Sequence, residues 1–201
     1  MELVISKTGH IANPFLDRIT VIGGNITEQE VDAIAIAIPQ NLDFKGRINM
    51  AVQEAAGYDI DNFILENIYK PKIGEVYAIP SGNLPVRHIL VAIMPHFKSD
   101  FDMEEKYLSS VARRIMELAR CMLLSRIAIP ALYSGKKGYA KAKAARLISS
   151  GIVDRLEESF EEVRIVCTSK EIFDAFHRKL EVLGWKKPWS NPYKYAYANQ
   201  M

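Results

Sequence analysis

The sequence predicts a three-layer α/β/α sandwich with a mixed, mostly parallel central sheet. Strand-like and helix-like segments alternate along most of the chain, which is typical of helices packed on both faces of a sheet. The run at residues 31–38 is apolar on both alternating faces after Asp32 and ends at Pro39. Such a run is expected of a central strand that is covered on both sides.

The other elements follow from local patterns. Strands are predicted where short β-branched or apolar runs end at glycine, proline or polar residues: 19–22, 75–80, 88–93, 126–130 and 163–167. Helices are predicted where apolar residues recur at helical spacing: 48–56, 103–124, 140–156 and 170–180. Gly57 is expected to end the first helix, and Ser169 to cap the last.

Composition indicates an ordinary globular protein with one main domain. The 201 residues are 49% hydrophobic and 25% charged, and the formal net charge is +2. Nothing in this balance demands a nucleic-acid or membrane partner, and no apolar run is long enough to span a membrane. Cys121 and Cys167 lie in apolar runs, so we expect two buried, unpaired thiols in a reducing compartment. Together with an N-terminus unlike a signal peptide, this predicts a cytoplasmic protein.

We divide the chain into an α/β domain at residues 1–183 and an irregular tail at residues 184–201. The tail is rich in aromatic residues, prolines and lysines. One interpretation is a tail packed on the domain surface. The other is an aromatic and basic strip that contacts a partner or stacks on bases.

Three loops follow the predicted carboxyl ends of strands, where open α/β sheets bind their ligands. The first contains Gly24, Asn25 and Ile26; its glycines permit a sharp turn, and the asparagine can donate to or accept from a base. A tight turn without a ligand explains this loop nearly as well. In the second, Gly46 precedes a helix whose N-terminal N–H groups and positive dipole end attract anions. Lys45 and Arg47 add positive charge there, although a solvated basic loop is an equal alternative.

The third loop lies between a predicted buried strand and a long helix. It runs Ser-Gly-Lys-Lys-Gly-Tyr at residues 134–139. Its two glycines, its hydroxyl group and its two lysines suit a diphosphate held in a nest of backbone N–H groups. The spacing is not that of a Walker loop, and a simple glycine-rich connector is the alternative.

The order of these loops is similar to that of the macrodomain family. The resemblance covers residues 19 to 180 approximately, and five segments carry it in the family's order. These are Gly-Asn-Ile-Thr at 24–27, Val-Asp-Ala-Ile at 31–34, Ile-Asn-Met-Ala-Val followed by Ala-Ala-Gly at 48–57, Gly-Glu-Val followed by Pro-Ser-Gly-Asn-Leu-Pro at 74–85, and Pro-Ala-Leu-Tyr-Ser-Gly followed by Gly-Tyr at 130–139.

The resemblance implies a cleft for ADP-ribose or a related phosphorylated nucleoside. Asn25 and Ile26 would contact the adenine, Gly46, Arg47 and Ile48 would form one phosphate-side loop, and residues 134–139 would form the other. The predicted ligand-binding residues are therefore Gly24, Asn25, Ile26, Lys45, Gly46, Arg47, Ile48, Ser134, Gly135, Lys136, Lys137, Gly138 and Tyr139. The expected partner is ADP-ribose, free or attached to a macromolecule, and we expect no cofactor, no metal and no membrane.

The sequence departs from the family at positions that matter for chemistry. Asn25 stands in place of an adenine-reading aspartate; its amide oxygen can still accept, but more weakly. The family's Asn-Ala-Ala-Asn strand end is Ile-Ala-Ile-Pro at 36–39, and its Gly-Gly-Gly loop is reduced to one glycine at Gly46. Asn49 replaces the aspartate that some hydrolytic members use, so it cannot act as a general base. We therefore predict no catalytic residue.

Three functions remain open at this point. The first is binding of ADP-ribose or a related nucleotide without hydrolysis, which the lost asparagines and Asn49 favour. The second is an enzyme that processes ADP-ribosyl groups with water held by the substrate phosphate. The third is a diverged scaffold that binds RNA or another polyanion through Lys45, Arg47, Lys136, Lys137 and the tail.

Overall fold

The computed structural model describes residues 13–95, 101–132 and 140–186 of the chain. A six-stranded sheet in the order β1-β6-β5-β2-β4-β3 forms its centre. The strands are β1 (Ile19–Gly23), β2 (Ala33–Pro39), β3 (Val76–Pro80), β4 (His88–Met94), β5 (Arg126–Pro130) and β6 (Glu162–Cys167). Only β3 runs antiparallel to its neighbour; the other ladders of this sheet are parallel. The predicted mixed, mostly parallel sheet is confirmed.

Helices cover both faces of the sheet. The described helices are α1 (Arg47–Ala56), α2 (Ile60–Asn67), α3 (Phe101–Cys121), α4 (Lys141–Val153) and α5 (Lys170–Val182). α1 and α2 share one apolar core with one face of the sheet, while α3, α4 and α5 pack in a second core on the other face. α2 was not predicted. Its signals are an N-cap at Asp59, which accepts from the Asn62 N–H at 3.2 Å, and the buried pair Ile60 and Ile64.

The central position predicted for residues 31–38 is confirmed. β2 lies between β4 and β5, and the side chains of Ile34, Ile36 and Ile38 are fully buried. Because β2 has a neighbouring strand on each side and a helical layer on each face, both alternating sets of side chains are withdrawn from water. This explains the continuous apolar run in the sequence.

Asp32 fastens the amino end of β2 to the start of β5. Its Oδ2 accepts hydrogen bonds from the N–H groups of Ser125 (2.9 Å) and Arg126 (2.8 Å), and Arg87 lies 3.7 Å from its Oδ1. Burial acts to raise the pKa of Asp32, but the combined hydrogen bonds and the Arg87 charge bring it below its ordinary value. The aspartate of the Val-Asp-Ala-Ile segment therefore has a structural role, at the edge of the sheet opposite the predicted ligand loops.

Two more of the resembling segments meet each other at the end of α1. Asn83 donates its N–H to the carbonyl of Ala56 at 2.8 Å. A Cβ atom on Gly82 would overlap that same carbonyl oxygen, and one on Gly57 would overlap the side-chain amide of Asn83. Both glycines also have positive φ, 70° for Gly57 and 61° for Gly82. The positive φ and the close approach of the other segment explain both glycines.

The C-terminal boundary and the cysteines add two details. Trp185, inside the predicted tail, is buried and donates its indole N–H to the Ile19 carbonyl at 2.9 Å. Residues 187–201 lie outside the described residues. Cys167 is buried as expected, but Cys121 is exposed, because it lies at the end of α3 on a side turned away from the core. In the described part of the chain, no helix is long and apolar enough to cross a membrane.

Candidate functional site

The sheet opens between β2 and β5 at the carboxyl ends of these strands. Their ladder consists of two residue pairs, Ala33 with Ile127 and Ile34 with Ala128. Beyond these pairs, β2 remains paired with β4 as far as Pro39, and β5 remains paired with β6 as far as Pro130. The two central strands therefore separate as they approach the edge where the predicted ligand loops begin.

The helices that follow these strands leave in opposite directions. α1 follows β2 and packs on one face of the sheet, whereas α4 follows β5 and packs on the other. Adjacent parallel strands with this connectivity form a crevice outside their carboxyl ends, which is the usual ligand position in open α/β sheets. We call the space between the ends of β2 and β5 the β2–β5 crevice.

Both helices that border the β2–β5 crevice begin without a described side-chain cap, and Lys141 at the start of α4 forms an ion pair with Glu171 of α5. No described side chain caps the N-terminus of α1 or α4, and neither helix has an acidic residue in its first turn. By contrast, α2 and α5 begin with a capping Asp59 and Ser169 and carry acidic residues in their first turns. Uncapped N–H groups and the positive end of the helix dipole favour an anion at the first two helices.

The loop before α1 is shaped by Asp43 and Gly46. The Asp43 carboxylate accepts from the Lys45 N–H at 3.2 Å and lies 3.7 Å from the Lys45 ammonium. Gly46, the residue before α1, has φ of 150°, which favours glycine. A Cβ at Gly46 would lie 3.7 Å from the Asn49 side chain, an ordinary van der Waals contact, so the positive φ rather than crowding favours glycine here. Arg47 is exposed and Ile48 half-buried. Asp43 therefore offsets part of the Lys45 charge, while Arg47 is the exposed cation at the start of α1.

The first predicted loop lies beside α1. The Gly24 N–H donates to the Cys167 carbonyl at 3.1 Å, which joins the ends of β1 and β6. Ile26 begins a short 3-10 helix, Ile26–Glu28, which packs against α1 and β5. The Ile26 side chain is buried in the same core as Val52 of α1. The structure thus brings together the first two predicted loops, and it places the Ile26 side chain in the core rather than at the surface of the loop.

Asn25 is exposed, and its side chain is held by the short 3-10 helix. Its Oδ1 accepts from the Thr27 N–H at 3.2 Å, and its Nδ2 lies 3.4 Å from a Glu28 carboxylate oxygen. Gln29, which is buried, donates its side-chain amide to the Asn25 carbonyl at 2.7 Å and accepts from Arg164 at 3.4 Å. The sequence reasoning missed Gln29 and Arg164, since neither belongs to a recognisable motif and their link joins residues 135 positions apart.

The third predicted loop lies outside the described residues. The roles assigned to Ser134, Gly135, Lys136, Lys137, Gly138 and Tyr139 therefore stay predictions. The flanks of this loop are described: the Ala131 N–H donates to the Val166 carbonyl at 3.1 Å, and α4 begins after Ala140. The loop thus leaves the end of β5 and returns at the start of α4, both of which border the β2–β5 crevice.

The Asn49 side chain is buried, and its amide nitrogen is used within the fold. Its side chain is 6% exposed, and its Nδ2 donates to the Ala37 carbonyl of β2 at 3.1 Å. This contact ties α1 to the strand behind it. Among the residues that the structure describes, no group of three or more histidine, cysteine or acidic side chains is arranged to hold a metal ion.

Known proteins resemble this chain in both sequence and fold. A family model described as Macro domain matches residues 37–148. A macro domain-containing protein of Caldanaerobacter subterraneus is 30% identical over 171 residues, which are 83% of this chain and 98% of that protein. An O-acetyl-ADP-ribose deacetylase of Salmonella newport is 28% identical over 172 residues, covering 83% of this chain and 96% of that protein. A mutant of the Oceanobacillus iheyensis macrodomain with ADPR has a TM-score of 0.77 at 23% identity, covering 88% and 99% of the two chains.

Proposed function

Because this chain belongs to the macro domain family, we propose that it binds ADP-ribose or a closely related phosphorylated nucleoside, without hydrolysing it. The observation that carries the proposal is the β2–β5 crevice, bordered by two helices that begin without a described cap or a first-turn acid. A diphosphate would supply negative charge to the N–H groups at the start of both helices. The Oceanobacillus iheyensis macrodomain mutant was solved with ADPR, which supports the same ligand class.

In this proposal the ligand lies across the first two loops. The N–H groups at the start of α1, from Arg47 and Ile48, donate to phosphate oxygens beside Gly46. The residues at 134–139 would complete the phosphate site from the β5 side. Asn25 and the Ile26 backbone, on the loop after β1, face the nucleoside base. The expected order along the crevice is therefore base, then diphosphate.

Two polar side chains of α1 and its loop support binding without hydrolysis. The Asn49 amide is buried and committed to Ala37, and an amide cannot take a proton from water at neutral pH. Asp43, the carboxylate in the loop before α1, is committed to Lys45. Both groups thus make contacts within the fold, which supports a binding role for this loop.

Calorimetric titration with ADP-ribose tests the proposal, with Arg47→Glu as the perturbing variant. Reversing an exposed charge beside a diphosphate is expected to weaken binding by about 1–2 kcal/mol, or roughly ten-fold. Arg178→Glu is the matched control, since Arg178 is exposed on the last turns of α5, far along the helix from the crevice edge. We expect the control to bind ADP-ribose like the unmodified protein.

Three results would contradict the proposal in different ways. Absence of a heat signal at millimolar ADP-ribose would reject the ligand. Release of acetate from O-acetyl-ADP-ribose, or of ADP-ribose from a modified protein, would reject the claim of binding without hydrolysis. Binding to RNA that weakens steeply with salt, with no ADP-ribose signal, would favour the polyanion alternative.

A further inference from the structure

The edge strand β3 turns part of its backbone away from the sheet. At its start the Gly74 N–H donates to the Ile93 carbonyl, and the Ile93 N–H donates to the Glu75 carbonyl, both at 2.8 Å. With φ of 91° at Gly74, this pattern is a β-bulge, and it fixes which residues of β3 bond to β4. Because bonding alternates along an antiparallel ladder, Val76 and Ala78 direct their N–H and C=O groups away from β4.

These four backbone groups have no partner among the described residues. β3 ends the sheet, and neither Val76 nor Ala78 makes a backbone hydrogen bond outside its ladder with β4. An added strand would therefore gain up to four backbone hydrogen bonds. The next outward carbonyl, that of Pro80, already accepts from the Tyr58 hydroxyl at 2.6 Å, and proline has no N–H to donate. The edge thus suits a short segment rather than a long strand.

An apolar groove lies beside this edge, on the face of the sheet that carries α3. Its volume is about 450 Å³, and it is open to solvent. Ala78 and Pro80, both exposed, line it together with Met122, which directly follows α3 and is half-buried. Leu123 comes next; it is 87% exposed and has φ of 57°, a conformation that disfavours leucine. The groove therefore offers contact area for an apolar side chain of an added strand.

The charge of the groove selects among possible segments. Arg87 and His88 line the end near Pro80, and no acidic side chain is among the described residues that line the groove. The Arg87 side chain is 70% exposed, and its nearest approach to the Asp32 carboxylate is 3.7 Å. This distance exceeds that of a hydrogen bond, so the guanidinium keeps N–H donors for a second carboxylate.

We propose that β3 is a docking edge for an extended acidic segment of a partner protein, which adds to the sheet as a further strand. In the commoner antiparallel orientation, one partner residue pairs with Ala78, and the residue two positions later pairs with Val76. An apolar side chain opposite Ala78 then lies against Met122. A carboxylate two positions earlier lies opposite Pro80, close to Arg87. This site is at the edge of the sheet opposite the β2–β5 crevice and does not depend on the function proposed above.

A fluorescently labelled peptide of sequence Thr-Glu-Thr-Val-Thr-Val-Thr tests the proposal by fluorescence polarisation with the full chain. Its glutamate and its first valine have the spacing required for Arg87 and Ala78. Replacing this glutamate by lysine should weaken binding about three- to ten-fold, because an attraction becomes a repulsion. Methylating the backbone nitrogen of the first valine removes the donor to the Ala78 carbonyl and should weaken binding about ten-fold or more.

Two protein variants match these peptides. Ala78→Pro removes an N–H that makes no hydrogen bond within the described fold, and edge strands tolerate proline. Its thermal unfolding should resemble that of the unmodified protein, while peptide binding falls about ten-fold. Met122→Glu adds a carboxylate to the groove and should weaken the glutamate peptide more than the lysine peptide. Amide resonances of Val76 and Ala78 in the unmodified protein should shift with the glutamate peptide.

Several outcomes would overturn this proposal. These are no binding of the glutamate peptide at millimolar concentration, equal binding of the glutamate and lysine peptides, or undiminished binding of the N-methylated peptide. If sedimentation shows that the chain alone dimerises and that Ala78→Pro makes it monomeric, β3 pairs with a second copy and the acidic partner is rejected. Loss of ADP-ribose binding, by contrast, bears only on the proposed function.

Discussion

Asn49→Asp directly tests whether Asn49 anchors α1 to the sheet. The Asn49 amide donates to the Ala37 carbonyl at 3.1 Å in a site where the side chain is 6% exposed. Aspartate has nearly the same shape, but at neutral pH it would turn a negatively charged oxygen toward a carbonyl oxygen. The hydrogen bond is lost, and two acceptor oxygens in a partly buried contact face each other.

The cost follows from those contacts. A lost hydrogen bond accounts for about 1 kcal/mol, and the unsatisfied buried groups add about 1–3 kcal/mol. The free energy of unfolding should therefore fall by about 2–4 kcal/mol, which lowers Tm by roughly 4–16 °C in a chain of this size. Asn49→Ala is the control: it removes the donor without adding a charge and should cost less.

Thermal unfolding followed by circular dichroism ranks the three proteins by stability. At pH 8 we expect the unmodified protein to be the most stable, Asn49→Ala to be intermediate and Asn49→Asp to be the least stable. Lowering the pH should reduce the difference in stability between Asn49→Asp and the unmodified protein, because a protonated aspartate can donate to the Ala37 carbonyl. An Asn49→Asp variant as stable as the unmodified protein would refute the reasoning, since Asn49 would then not anchor α1 to β2.

Two further predictions concern the rest of the fold. Asp32→Asn should destabilise the protein by about 1–3 kcal/mol at pH 7, because it weakens hydrogen bonds from the start of β5. Folding lowers the pKa of Asp32, so the stabilisation by its carboxylate is present above the ordinary value of 3.8 and is lost as pH falls through the lower, folded value. In urea unfolding at pH 7 and pH 3, the free energy of unfolding should therefore change less with pH in the variant than in the unmodified protein. An equal change in both proteins would contradict this. Gly151→Ala should also lower the urea midpoint, because its Cβ would overlap the Ser109 carbonyl and lie 2.7 Å from the Ala112 Cβ where α3 and α4 pack; an unchanged midpoint would show that the helices separate at little cost.

Much of the fold could be predicted because periodic burial leaves a periodic pattern in the sequence. The apolar run ending at Pro39 identified the central strand, and strands and helices elsewhere were located to within a few residues. α2 was missed because its eight residues carry little more than one buried pair, Ile60 and Ile64. A helix that short gives no extended pattern, and its N-cap at Asp59 follows closely on the end of α1.

The candidate site was less accessible to sequence reasoning. Motif order identified Asn25 and Gly46 as loop residues, and the structure places both beside α1. Sequence could not show that the Asn25 oxygen is committed to Thr27, or that Asn49 is committed to Ala37, because each depends on the direction of an amide in three dimensions. The separation of β2 from β5 is likewise a property of strand pairing, not of either strand alone.

Backbone amide NMR spectra recorded during titration with ADP-ribose would locate the diphosphate directly. We predict that the N–H resonances of Arg47 and Ile48 shift in proportion to occupancy, as expected for groups that donate to phosphate oxygens. Resonances near Arg178, on the last turns of α5, should stay unchanged. Saturating ADP-ribose that leaves Arg47 and Ile48 unperturbed, or that shifts only residues at the opposite edge of the sheet around His88, would contradict a diphosphate site in the β2–β5 crevice.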